Sequence, residues 1–269
     1  MSGGHAHYVI VDRTGHRVWS RDRGARTLQT DLLAGPDRTL EFVRAQKGGT
    51  PGFWMNSVWW RAVLLLDLRH RRMLVQIADD VCAPSVPEIR AWLRDVRAAW
   101  PGWDVRWAAR GLHEVMDYLD LPYDTVRYLD DPPSPLAEQW ASPPNDDDLT
   151  EMPETLIAVR DTEGRLSLAS TWINTPDAAL LAGPDALLVP QDQATDTAIL
   201  EGVPWNGLYV DAPARRADWW ATDLPLDPRR LPARWPGWTL TDHGDAYEEV
   251  AALIGPALVL DLRPSRPSQ

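Results

Sequence analysis

Residues Leu32–Asp37 read LLAGPD, and residues Leu180–Asp185 read LLAGPD again. Further along, AAWPGW at Ala98–Trp103 is echoed by ARWPGW at Ala233–Trp238. Two anchors kept in the same order are the mark of an internal repeat, and reading outward from them extends it. Asp12 and Gly15 align with Asp161 and Gly164; Asp67, Arg71 and Arg72 with Asp211, Arg215 and Arg216; Glu114 and Val115 with Glu249 and Val250. The offset falls from 149 to 148, 144 and 135, the drift expected when a second copy loses residues in its connections.

The expected fold is therefore α+β: two tandem, diverged copies of a unit of roughly 110 residues, ordered ββα-ββα-βα, in a pseudo-twofold arrangement. The first copy spans residues 1–121 and the second, trimmed copy residues 155–262. Between them lies an acidic proline-rich connector, residues 122–154, with PPSP at Pro132–Pro135 and PPNDDD at Pro143–Asp148. Residues 263–269 read as a disordered tail.

Local patterns assign the elements of the first copy. Tyr8–Val11 and Arg17–Ser20 form a hairpin around Thr14 and Gly15, and a helix starts near Pro36, carrying Leu40 and Val43 inward. A second hairpin pairs residues 62–68 with 72–77. Ser85 and Glu88 have capping-box spacing ahead of Ile89, Trp92, Leu93, Val96 and Trp100, which recur at helical intervals. Trp103, Val105 and Trp107 alternate as in a strand, and Leu112, Val115, Met116 and Leu119 form the stripe of a closing helix. In the second copy, Pro225, Pro228 and Pro232 interrupt the long helix.

Composition excludes several classes. Cys82 is the single cysteine of 269 residues, so no intramolecular disulfide and no cysteine metal cluster is possible. The longest uncharged apolar run, Ala62–Leu66, is far too short for a membrane span, and the N-terminus lacks the basic and then apolar order of a signal peptide. The expected location is the cytoplasm, with no membrane contact. A net charge of −12 argues against nucleic-acid binding, which needs a basic surface. That charge is uneven: residues 1–121 carry +3, residues 122–154 carry −8 and residues 155–269 carry −7.

Fifteen tryptophans stand out. Trp92, Trp100, Trp103 and Trp107, with Trp235 and Trp238, fall at inward positions and read as core. Trp54, Trp59, Trp60, Trp172 and Trp205 fall in irregular stretches, where aromatics line partner or ligand surfaces as readily as cores. Arg21, Arg23 and Arg26 flank Gly24 in a predicted loop and could hold a phosphate or carboxylate, or pair with nearby acids. His5 and His7 lack the further ligands a metal needs. Asp67 and Asp211, repeated at the ends of apolar strands, could form a symmetric carboxylate pair for general acid-base work, or cap hairpin turns and pair with Arg71 and Arg215, which is the favoured reading. No GxSxG elbow, catalytic set, metal set or cofactor motif is present.

These features point to a non-enzymatic cytoplasmic binding protein, of the kind of an immunity protein or inhibitor. Its acidic second half and connector, with Asp146, Asp147, Asp148, Trp172 and Trp205, would meet a basic protein partner such as a nuclease toxin. Two other classes stay open. One is a binder of a small anionic ligand in a cleft between the copies, using Arg21, Arg23, Arg26, Trp59 and Trp60; the other is an enzyme whose residues converge only in the fold.

Overall fold

The computed structural model describes residues 4–46, 48–50, 53–55, 59–77, 85–126, 155–171, 176–189, 194–224 and 226–262. The chain divides into two compact units, Met1–Asp130 and Asp131–Gln269. Among the described residues it is mixed α+β, with eight α-helices and three sheets. No helix among them is long and apolar enough to cross a membrane.

In the first unit, β1 (His5–Asp12) and β2 (Gly15–Arg21) form the first hairpin, followed by α1 (Gly24–Leu32), α2 (Pro36–Arg44) and the short β3 (Gly48–Thr50). The second hairpin, β4 (Trp60–Asp67) and β5 (Arg72–Ile77), leads to α3 (Val86–Ala99), β6 (Asp104–Trp107) and α4 (Leu112–Leu119). The sheet order is β3-β2-β1-β4-β5-β6. Its middle pair is parallel, with Val9 opposite Leu65, and so is the edge pair β5 and β6.

Both faces of this sheet are covered, which explains the unbroken apolar run in β4. Tyr8, Ile10, Leu64, Leu66, Met73 and Val75 face one core with Leu28 and Leu32 of α1 and Ile89, Leu93 and Val96 of α3. Val9, Val11, Val63, Leu65 and Leu74 face a second core with Leu112, Val115 and Met116 of α4. Helix α3 starts as expected: the Ser85 N–H donates to Glu88 Oε2 at 2.8 Å. Helix α1 corrects the sequence reading, which left Arg23–Arg26 in a loop. Ala25, Leu28 and Leu32 supply a buried stripe, but no side chain caps the helix start, so the local signal is weak.

In the second unit, β7 (Thr155–Arg160) and β8 (Leu166–Thr171) precede two short helices, α5 (Asp177–Ala182) and α6 (Pro184–Leu187). Then come β9 (Ala198–Glu201), β10 (Asn206–Asp211), β11 (Arg216–Ala221), α7 (Leu231–Arg234), β12 (Thr239–Asp242), α8 (Tyr247–Ile254) and β13 (Leu258–Asp261). One sheet runs β12-β11-β10-β7-β8, with β10 and β7 parallel. As Pro228 and Pro232 dictate, only a 3-10 turn and the four-residue α7 lie between Asp227 and Trp235.

Ile157, Val159, Leu208, Val210, Ala217 and Trp219 pack under Leu180, Leu187, Leu231 and Trp235. Helix α8 covers the other face, against β10 and β11. The sequence reading did not anticipate β9 and β13, which pair in parallel as a separate two-stranded ribbon.

Candidate functional site

Strand β11 alternates, so with Ala217 and Trp219 in the core, Asp218 and Trp220 point to the face covered by α8. The Asp218 side chain is fully buried and carries a charge, which demands partners. Arg216, two residues back on the same face, supplies two hydrogen bonds at 2.7 and 2.6 Å. His243, in the turn between β12 and α8, places Nε2 2.9 Å from the same carboxylate and Nδ1 2.8 Å from Glu249 Oε2 on α8. The His243 N–H donates to the Trp219 carbonyl, fixing that turn on β11.

Burial opposes ionisation of Asp218, but the Arg216 and His243 hydrogen bonds outweigh it and hold the carboxyl below its ordinary range. Burial likewise opposes charge on His243, yet its two carboxylate neighbours raise its pKa above the usual imidazole value. Both ring nitrogens are committed. An imidazolium donating to two carboxylates has no lone pair left for general-base work, so this arrangement is a strut joining β11, the turn and α8.

Asp67, at the end of β4, is also fully buried and saturated. Arg69 Nη2 lies 3.0 Å away, His70 Nδ1 2.9 Å and the Tyr118 hydroxyl of α4 2.7 Å. Burial raises its pKa, but these hydrogen bonds more than reverse that and hold it well below the carboxylate range. The expected pairing with Arg71 is therefore corrected. Asp211 instead accepts from the Tyr209 hydroxyl at 3.0 Å and the Ala214 N–H at 3.0 Å. Arg71 and Arg215 sit in left-handed backbone, with φ 50° and 49°. Their guanidinium groups go instead to the WPGW turns, where a Cβ on Gly102 would stand 3.4 Å from Arg71 Nη1 and one on Gly237 3.8 Å from Arg215 Nη1.

The anion-ligand candidates divide. Arg21 is half-buried, donates to Thr27 Oγ1 at 3.0 Å and Asp31 Oδ2 at 3.3 Å, and lies over the Phe42 ring. Arg23 and Arg26 are exposed at the start of α1. Trp60 is buried in the sheet, while its neighbour Trp59 is exposed and packs edge-on against His5, which lies 3.7 Å from Asp22. Trp59 and the Arg21–Arg26 stretch thus share one corner of the first unit. Trp205 is half-buried, its carbonyl accepting from Thr222. Trp172, Cys82 and Asp146, Asp147 and Asp148 lie outside the described residues.

His7 lies in β1, fully buried, and its Nε2 accepts from the Met55 N–H at 3.1 Å. Burial lowers its pKa to about 4, so it is a neutral core residue. Among the described residues no group of three or more His, Cys, Asp or Glu is placed to hold a metal.

A cavity of about 510 Å³ opens in the second unit where the β7–β8 and β10–β11 turns meet the second WPGW turn. Thr162, Asp185, Arg215, Arg234 and Trp238 are among its lining residues. On the two-stranded ribbon, Leu200 and Leu258 are buried, while Ile199 and Val259, directly opposite each other, are 76% and 50% exposed.

No family model, curated protein or solved structure matches this chain. Sequence reasoning did not find the Asp218–His243–Glu249 strut or the ribbon face. The one local signal for the strut was an acidic residue between Ala217 and Trp219 in an otherwise apolar strand.

Proposed function

We propose that the chain is a duplicated α+β scaffold acting as a non-enzymatic binding protein, and that its second unit docks a basic protein partner. Duplication is supported by detail that a shared fold class alone would not produce. The strand orders β2-β1-β4-β5-β6 and β8-β7-β10-β11-β12 correspond strand for strand, each with a parallel middle pair between two antiparallel hairpins. Trp100 Nε1 donates to the Leu32 carbonyl and Trp235 Nε1 to the Leu180 carbonyl, at 2.7 and 2.6 Å. Gly35 and Gly183 share φ values of 81° and 83°. An experimental structure in which the two WPGW turns fail to superpose would overturn this part.

The observation that carries the docking reading is the outward face of the ribbon. Strand alternation puts Ile199 and Val259 on the same side as Glu201 and Asp261, and the register sets Ile199 against Val259 and Glu201 against Asp261. Two branched apolar side chains exposed side by side, with the exposed Glu201 carboxylate next to them, suit a partner that covers the apolar pair and carries Lys or Arg at its rim. The net charge of −7 over residues 155–269 favours the same partner at longer range, through faster encounter. In this reading the closed ion networks at Asp67 and Asp218 are structural, and no enzymatic step is assigned.

The test is capture from the native host, followed by kinetics with the captured protein. A basic partner is expected, its association slowing with salt and its dissociation accelerated by Ile199→Ser with Val259→Ser. A partner indifferent to both salt and these changes overturns the reading.

A further inference from the structure

We infer that the cavity of the second unit is a site for a small phosphorylated ligand with a flat ring, of the class of a nucleoside monophosphate. This is independent of the docking face, which lies on other strands. Its volume, about 510 Å³, falls in the range of small-molecule sites, roughly 300–1,000 Å³.

The charges around it are unusual for their surroundings. In the second unit Arg160, Arg165, Arg216 and Arg229 are all held in ion pairs. Among the described residues Arg215, Arg230 and Arg234 form none, and two of these three line the cavity. Among the described residues no carboxylate forms an ion pair with Arg215 or Arg234, and both residues line the same concave surface. Paired guanidinium groups match the geometry of a phosphate.

The backbone sets where the Arg215 side chain lies. Arg215 adopts φ 49°, a conformation that costs a side chain of ordinary shape on the order of 1 kcal/mol and that glycine or asparagine fills more readily. Arg71 shares this conformation at φ 50°, so the turn places the guanidinium beside a WPGW turn in both units, and it is the surrounding cavity that sets Arg215 apart.

The remaining walls fit the rest of the ligand. Trp238 is half-buried on Trp235 and offers an apolar indole wall for a planar ring. Thr162 and Asp185 offer a hydroxyl and a carboxylate. The carboxylate opposes a bare polyanion and accepts from ligand hydroxyls, as a ribose supplies. A monophosphate with a sugar therefore suits this lining better than a di- or triphosphate.

Calorimetric titration of the full chain with AMP, inorganic phosphate and adenosine tests the assignment. Saturable AMP binding is expected, tighter than phosphate by at least tenfold, with adenosine alone not binding. Arg215→Gly removes the guanidinium while relieving the backbone, so it keeps the fold; it and Arg234→Ala should each weaken AMP at least tenfold with a Tm no lower than that of the unaltered protein. Arg71→Gly, the same change in the first unit, should leave AMP binding as it was. Absence of AMP binding, equal affinity for adenosine, affinity unmoved by Arg215→Gly and Arg234→Ala, or equal loss in Arg71→Gly would each overturn the assignment.

Discussion

The indole Nε1 of Trp100 donates to the main-chain carbonyl of Leu32 at 2.7 Å, inside the core of the first unit. This bond ties the end of α3 to the end of α1, adding a second donor to a helix-terminal carbonyl that also accepts from the Gly35 N–H at 3.2 Å. Trp100 is fully buried, whereas Trp103, set edge-on against it at 4.9 Å, is half-buried. Trp100→Ala should cost about 3–5 kcal/mol, and Trp100→Phe about 0.5–1.5 kcal/mol for the lost hydrogen bond, since the Leu32 carbonyl keeps the Gly35 N–H. Trp103→Ala should cost less than Trp100→Ala. Urea unfolding of the three variants checks the order.

The strut at His243 makes stability depend on pH in a defined direction. Its folded pKa lies above the ordinary 6.5, so its contribution is complete below 6.5 and is lost as pH rises through the folded value. Asp218 lies below its ordinary 3.8, so its contribution is complete above 3.8 and is lost as pH falls through the folded value. The two overlap fully between 3.8 and 6.5. His243→Gln should lower stability by about 1–3 kcal/mol at pH 6 and by less at pH 9. Thermal unfolding of both proteins across that range reads the difference.

Gly207 in β10 faces the Trp220 ring so closely that a Cβ would overlap the indole. Trp220 is fully buried and donates from Nε1 to the Pro204 carbonyl at 3.0 Å, so the ring has a fixed place. Gly207→Ala should therefore destabilise by several kcal/mol, beyond the usual 1–3 kcal/mol of overpacking. Adding Trp220→Leu should recover part of that loss, a non-additivity that a double-mutant cycle measures.

Arg21, Arg23 and Arg26 should separate on replacement. Arg21→Ala loses a partly buried ion pair and the contact with Phe42 and should cost about 1 kcal/mol. Arg23→Ala and Arg26→Ala, both exposed, should each stay within about 0.5 kcal/mol. Equal effects at all three positions, measured by denaturant midpoint, would contradict the placement of Arg21.

What could be read in the sequence was local. Ser85, Glu88 and the apolar spacing from Ile89 to Trp100 specify α3 within one stretch of chain, and the first hairpin announces itself by the turn residues Thr14 and Gly15. Helix α1 was hidden because Gly24 starts it without a capping side chain and its arginines drew the reading toward a loop. The ribbon was hidden by distance: AILE and LVLD are short apolar runs with no turn between them, and nothing local says that Ile199 will lie against Val259. The strut depends on His243 crossing to Asp218, a contact fixed by the packing of α8. The cavity residues were visible one by one, but only the fold brings Arg215 and Arg234 to a common wall.

The parallel ribbon also sets a schedule for the newborn chain. Its two strands are separated by the whole of β10, β11, β12 and α8, so β9 has no partner until Leu258–Asp261 has been synthesised. Because domains form from the N-terminus as the chain emerges, the first unit is finished well before the face carrying Ile199 and Val259 exists. A chain stopped anywhere short of residue 258 therefore lacks β13, and with it the paired ribbon that sets Ile199 beside Val259.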